Sequence, residues 1–244
     1  MSQNTTQIDY LEDGISSIEL TNVMGSELDV VNAARVSLHN ESQWQHTDSS
    51  KAGGVLTDRD KGLINFLMKN KHGTPFEMGF TAQFRIRMPI FVAREHVRHR
   101  IGHSINEESG RYVEMRPDFY IPHRVRSQVG KPGAYTFVDT EDDDLEYAFK
   151  RDLTQRSKAA YGLYKGYIDA GVAKEQARMF LPLNLYTEML WTANARSLMN
   201  YLNLRAHKDA QLEIRRLAEA IEGYFAVYMP NTYESFQKNG REAP

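Results

Sequence analysis

The stretch Met78–Arg100, MGFTAQFRIRMPIFVAREHVRHR, decides the fold class. From Met78 to Met88, the apolar side chains of Phe80, Ala82, Phe84, Ile86 and Met88 alternate with Gly79, Thr81, Gln83, Arg85 and Arg87. That period of two marks a strand with one buried face. Pro89 suits the first turn of a helix, which the pattern carries through Arg100. The same strand-then-helix order recurs late in the chain, with a strand over Leu185–Ala193 and a helix over Ala195–Ala206. Outward from these, Asp9–Leu20 alternates as one or two short strands. Ser26–Leu38 places Leu28, Val31, Ala34 and Leu38 at helical spacing. His39–Gly54 reads as a loop, and Thr57 caps a helix to Lys69 with Leu63, Phe66 and Leu67 facing inward. Pro117–Pro132, rich in Pro, Arg and Gly, reads as an exposed connection. The six acidic residues of Asp139–Glu146 suit the dipole at the start of a long helix, Asp142–Ala170. Further helices are expected over Ala173–Phe180 and Asp209–Tyr228, the latter ended by Pro230. The expected fold is α+β, one domain over residues 1–244, helix-rich with a small, mostly antiparallel sheet.

The chain has 244 residues, long enough for one sizeable core. Its 30 basic and 32 acidic side chains give a net charge of -2, which argues against a protein that coats nucleic acid. It contains no cysteine, which excludes disulfides, thiolate metal sites and a cysteine nucleophile. Met1–Gly14 has neither a basic start nor an apolar run, and the longest apolar stretch, Met88–Ala93, is far too short to span a bilayer. The expectation is a cytoplasmic protein that binds neither membrane nor nucleic acid.

Chemistry concentrates between His72 and Gly130, which hold nine arginines and no lysine. A planar guanidinium fork suits carboxylate, phosphate or a flat heterocycle. The same arginines could instead form ion pairs with Glu77, Glu95, Glu107, Glu108, Glu114 and Asp118, and composition leaves both readings open. At the centre lies Arg98–Tyr112, RHRIGHSINEESGRY, a polar loop offering donors, acceptors and cations. His96, His99 and His103 fall at i, i+3 and i+7, but Gly102 interrupts and no HExxH pattern occurs. They read as histidines of a hydrogen-bonded pocket, with no metal. In the helix from Ala195, Arg196 and Asn200 share a face and Asn203 follows, although Asn is a poor helix former, so this is a candidate binding face. Neither a Gly-rich dinucleotide motif nor a Walker or Gly-x-Ser-x-Gly pattern is present.

Three blocks then resemble the flavin-dependent thymidylate synthases: RHR…NEESGRY, ARMFLPLNLYTEMLWTANARSLMNYLNLRA, and HGTPFEMGFTAQF at His72–Phe84. Val23-Met24-Gly25 and Ala33-Ala34-Arg35-Val36-Ser37 look like the same family. The likeness covers about residues 10 to 236 and is weakest over His123–Ala170. It implies conversion of deoxyuridine monophosphate to thymidine monophosphate, with methylenetetrahydrofolate as carbon donor, FAD as hydride carrier and NADPH as reductant. It also implies a homotetramer with shared active sites. By this resemblance Arg205 is the catalytic, ring-activating arginine, and Glu95, Arg98, Glu108, Ser109, Gly110, Arg111 and Arg178 bind the nucleotide beside it. His72, Thr74, Arg98, His99, Arg100, Glu107, Asn194, Arg196 and Asn200 match cofactor contacts. A chain without a thiol cannot activate uracil by thiolate attack at C6; with a flavin hydride donor, as the resemblance implies, activation can come from polarising the ring instead.

Two features depart from the family pattern. Eight residues, Ile101–Glu108, separate the RHR run from Ser109 where seven are usual, and Gly102 could absorb the extra one. Asp209 stands where some members carry a flavin-contacting histidine. Two other readings are a sibling enzyme forming hydroxymethyluridylate and an Arg-rich nucleic-acid-binding protein.

Overall fold

The computed structural model describes residues 7–45, 54–132 and 134–244. The chain runs through strand β1 (Ser17–Gly25), helices α1 (Glu27–Arg35), α2 (Asp58–Lys69) and α3 (Thr74–Met78), strand β2 (Phe80–Pro89), helix α4 (Ile90–His96) and strand β3 (His103–Glu107). Strands β4 (Arg126–Lys131) and β5 (Ala134–Asp139) follow, then α5 (Asp143–Asp169), α6 (Lys174–Ala177), β6 (Tyr186–Asn194), α7 (Ala195–Arg205), α8 (Leu212–Tyr228) and α9 (Pro230–Lys238). This is the expected α+β class. No helix among the described residues is long and apolar enough to cross a membrane.

Four strands form one sheet in the order β1-β2-β6-β3, and β4 pairs with β5 in a separate hairpin. β1 lies antiparallel to β2 and β3 antiparallel to β6, with His103 opposite Ala193 and Glu107 opposite Met189. Two compact units result. One comprises Met1–Arg87, Val92–Glu107 and Glu188–Pro244, the other Met88–Phe91 and Glu108–Thr187. The first unit holds the body of the sheet, α1–α3 and α7–α9. Phe80, Ala82, Phe84, Ile86 and Met88 are buried as the alternation requires. Phe84 stacks on Trp191 with centroids 5.5 Å apart. In the second unit, Met115, Tyr164, Ala177 and Leu185 form the core. The Tyr164 hydroxyl accepts from the Met115 amide at 2.9 Å, and Tyr161 donates to the Met115 carbonyl at 2.9 Å.

Several boundaries differ from the sequence reading. α4 ends at His96 rather than Arg100, so the i, i+3, i+7 helical face for three histidines does not exist. The polar run after Arg100 contains the edge strand β3. Arg126–Lys131, read as part of a connection, is β4. β1 extends beyond Leu20 to Gly25. Leu67 is buried as expected, but Phe66 is exposed and Leu63 only half-buried, and α2 buries Ile64 and Met68 instead. α8 begins at Leu212, and Pro230 opens α9 rather than closing the helical region. Proline fits the first helical position, where its missing N–H costs nothing. The expected loop His39–Gly54 is found over 39–45, and residues 46–53 lie outside the described residues. The Thr57 cap is present, its Oγ1 accepting from the Asp60 amide at 3.1 Å.

Candidate active site

In the first unit, Arg205 is the centre of a polar constellation. It closes the last turn of α7 and reaches α4 and the turn beyond it. Its Nη1 donates to Glu95 Oε2 at 2.9 Å, its Nη2 to the Glu95 carbonyl at 3.2 Å, and its Nε to His99 Nε2 at 2.9 Å. Behind these lies an aromatic layer. The His99 ring meets Tyr201 edge-on, with centroids 4.7 Å apart. His96 Nδ1 lies 3.0 Å from the Tyr201 hydroxyl. Trp191 Nε1 donates to His103 Nδ1 at 3.0 Å. Buried His96, Trp191 and Tyr201 therefore form a packed wall against which the partly exposed His99 and Arg205 rest.

Burial decides the charge of this wall. It pushes the His96 imidazole down to about 3, helped by the repulsion that His99 and His103 would exert once protonated and by the Arg205 cation. Burial also lowers His99 to about 4, assisted by Arg205 and His103, and lowers His103 to about 4. All three rings are neutral at pH 7. The Glu95 carboxyl is raised, because burial and nearby Glu213 outweigh the adjacent Arg205 guanidinium. The unfolded chain protonates its histidines near pH 6.5, where the folded chain does not. Folding stability is therefore expected to fall as pH drops from about 6.5 towards 4. The raised carboxyls of Glu27 and Glu95 act in the opposite sense. Thermal melts from pH 7.5 to 4.5 check this, and a flat or rising midpoint would contradict it.

The candidate cofactor residues of this unit divide into two groups. His72 and Thr74 line a cavity of about 360 Å³ with Ala33, Ala34, Ser37 and Lys71. Arg196 crosses Gly73 so closely that a Cβ there would stand 2.6 Å from its Nε. Its Nη1 donates to Glu77, and its Nε to the Pro244 carbonyl. In the second group, Gly102 takes a φ of +72°, and a Cβ there would meet Ser197 Oγ at 2.1 Å. Only glycine fits this turn into β3. Asn194 caps α7 through its Oδ1, which accepts from the Ser197 amide at 2.9 Å. Asn200, Arg98, Arg100 and Glu107 are exposed. Arg98 and Arg100 make no ion pair among the described residues.

The remaining candidates lie in the second unit. The Ser109 carbonyl accepts from the Tyr112 and Val113 amides at 2.9 and 3.1 Å, and its Oγ accepts from the Arg111 amide at 3.3 Å. Gly110 is buried, and a Cβ there would press on the Arg178 side chain at 3.3 Å. Arg111 pairs with Glu175 at 3.1 Å and Arg116 with Glu108 at 3.7 Å, both exposed enough for a ligand to displace them. Arg178 is exposed with no ion pair among the described residues. The Arg-rich region therefore satisfies both open readings: some arginines are paired, and others face solvent.

The expected nucleotide set is thus divided, with Glu95, Arg98 and Arg205 in the first unit and Glu108–Arg111 and Arg178 in the second. Sequence reading did not bring Tyr201 into the site and did not connect Trp191 to His103. The available signal was spacing, because Tyr201 lies one helical turn before Arg205.

A family model described as thymidylate synthase complementing protein matches residues 19–231. A flavin-dependent thymidylate synthase from Tropheryma whipplei is 45% identical over 237 residues, covering 93% of this chain and 95% of that protein. One from Streptomyces avermitilis is 43% identical, covering 93% of each. Among solved structures, the UMP/dUMP methylase PolB from Streptomyces cacaoi, bound with 5-Br UMP, matches with a TM-score of 0.81 at 37% identity, covering 94% of this chain and 96% of that one.

Proposed function

The chain belongs to the flavin-dependent thymidylate synthase family, and from that premise we propose that it methylates deoxyuridine monophosphate at C5 to give thymidine monophosphate. Methylenetetrahydrofolate is the carbon donor, FAD the cofactor and NADPH the reductant. The working form is a cytoplasmic homotetramer with shared sites. The observation that carries the reading is Arg205, a cation fixed by Glu95 and His99 in a chain that has no thiol.

The flavin fits the residues present. The cavity at His72 and Thr74 opens beside Arg196, which Gly73 admits by lacking a side chain. His72, Thr74 and Arg196 would hold part of the cofactor there, Asn200 would contact it from α7, and Arg98 and Arg100 supply exposed cations for its phosphates. When bound, FAD supplies the hydride that reduces the transferred carbon to a methyl group. Arg205 stabilises negative charge as it develops on the uracil ring, which makes C5 nucleophilic without a covalent adduct. Arg111 and Arg178 bind the nucleotide phosphate, and Glu108–Gly110 present the loop along it.

Ser109 binds and does not attack. Among the described residues, no histidine or carboxylate hydrogen-bonds its Oγ, so it lacks the base that a nucleophile needs. Ser109→Ala is expected to keep turnover within about tenfold of the parent, the value of one hydrogen bond. Complete loss of turnover with intact nucleotide binding would contradict this.

The test of the whole reading is direct. The purified protein should show a bound-flavin spectrum, be reduced anaerobically by NADPH, and form thymidylate when given deoxyuridine monophosphate and methylenetetrahydrofolate. Hydroxymethyluridylate as the product would identify the sibling enzyme. A second reading, that UMP is also methylated, draws on the likeness to the UMP/dUMP methylase. Comparing kcat/KM for the two nucleotides decides it.

A further inference from the structure

We propose that His99 is a positioning residue for Arg205, fixing the plane of its guanidinium through an unprotonated Nε2. The proposal rests on the reading of Arg205 as the ring-activating group.

A guanidinium carries five N–H donors in a rigid plane. Here one donor on each nitrogen is engaged. Nη1 and Nη2 both go to Glu95, and Nε alone goes to His99. Contacts at the terminal nitrogens alone would let the group pivot on Glu95. The third contact, from a different residue, removes that freedom. One N–H then remains on each terminal nitrogen, a pair suited to adjacent acceptors on a flat heterocycle.

The contact also sets the protonation state of the ring. Arg205 Nε can only donate, so His99 Nε2 must accept, which puts the imidazole proton on Nδ1. A protonated His99 would set two N–H donors against each other and release the guanidinium. The surroundings favour the neutral form. Glu95 and His96 face this region from α4, His103 from β3, Tyr201 and Arg205 from α7, and Glu213 of α8 acts through Glu95. Two of these are neutral imidazoles and one is a permanent cation. The carboxylate that could balance a second charge is already bound to Arg205. Tyr201 fixes the ring orientation, and His96 and Trp191 hold Tyr201 from behind. The family resemblance gives His99 a cofactor contact. In the structure its Nε2 meets Arg205 Nε.

Two measurements on the full chain test this. In protein labelled with 15N-histidine, His99 should show a bare Nε2 and a protonated Nδ1, and the pattern should change in Arg205→Ala. This readout does not depend on turnover, so a parent protein that makes no thymidylate would sink the functional reading and leave this one standing. The second measurement uses flavin-loaded variants across pH 5 to 9. His99→Leu should lower kcat about a hundredfold with flavin content unchanged, the expected cost of a misplaced catalytic group. His99→Gln offers an amide oxygen near the Nε2 position. It should recover to within about fivefold, with a pH profile like the parent's, because His99 is already unprotonated through this range. A protonated Nε2 in the parent would overturn the proposal. So would a His99→Gln variant as impaired as His99→Leu, or a His99→Leu variant that loses flavin while keeping the kcat of its loaded fraction.

Discussion

Arg205→Ala is expected to fold, to bind flavin, and to turn over about a hundred- to a thousandfold more slowly than the parent. Alanine is a good helix former and Arg205 lies in the last turn of α7, so the helix loses little. The abandoned Glu95 side chain is 29% exposed and can rehydrate, which limits the stability cost to about 1 to 2 kcal/mol. The kinetic cost is larger because the chemistry has no substitute. Uracil becomes nucleophilic at C5 only if negative charge on the ring is stabilised, and no thiol is present to form an adduct. A cation already oriented by three hydrogen bonds does this without reorganising during the reaction. Arg205→Lys keeps the charge but not the fork or the Nε contact, so it should recover only part of the loss. Single-turnover thymidylate formation, alongside the flavin spectrum and nucleotide binding, provides the measurement. Near-parental turnover in Arg205→Ala would remove Arg205 from the mechanism.

The sheet-to-helix joints were legible because one face of each strand is buried. In β2 and β6 burial alternates residue by residue, and that pattern is written in the side chains. β3 has no such record. It is an edge strand whose Ser104, Asn106 and Glu107 are exposed, and only its pairing with β6 makes it a strand. The β4–β5 hairpin is hidden for a similar reason, since most of its residues on both faces are exposed. On α2, Ile64 and Met68 replace Leu63 and Phe66 on the inner face, a rotation of about one residue that periodicity cannot resolve. For the site, residue types were legible from motifs, and partners were not. Glu95 and Arg205 lie 110 residues apart, and nothing local to either announces the other.

The second large effect concerns Arg35, which the sequence reading noted only as part of the Ala33–Ser37 motif. Arg35→Met is expected to destabilise the protein by about 3 to 5 kcal/mol at neutral pH. Arg35 is 6% exposed and Asp60 is 1% exposed, with Nη2 and Oδ1 2.6 Å apart. Asp60 also accepts from Ser42 Oγ and Thr57 Oγ1, each at 2.7 Å. Burial alone would raise this carboxyl, but the Thr57, Arg35 and Ser42 contacts together hold it below its ordinary value. Removing the guanidinium leaves a buried carboxylate with two hydroxyl donors and no counter-charge. The sign follows from linkage. Asp60 contributes stability above its ordinary pKa near 3.8, and that contribution is lost as pH falls. The gap between parent and variant should therefore be widest at neutral pH and narrow below about pH 4. Adding Asp60→Asn keeps an amide oxygen for one of the two hydroxyls, Ser42 or Thr57, while removing the charge, so the double variant should be more stable than Arg35→Met alone. Urea titrations of the parent, both singles and the double measure the coupling. A loss under about 1 kcal/mol in Arg35→Met would show the pair to be dispensable. The effect extends to function because α1 carries Ala33 and Ala34 into the cavity shared with His72 and Thr74. A loosened α1 should release flavin more readily than the parent even at temperatures where the variant remains folded.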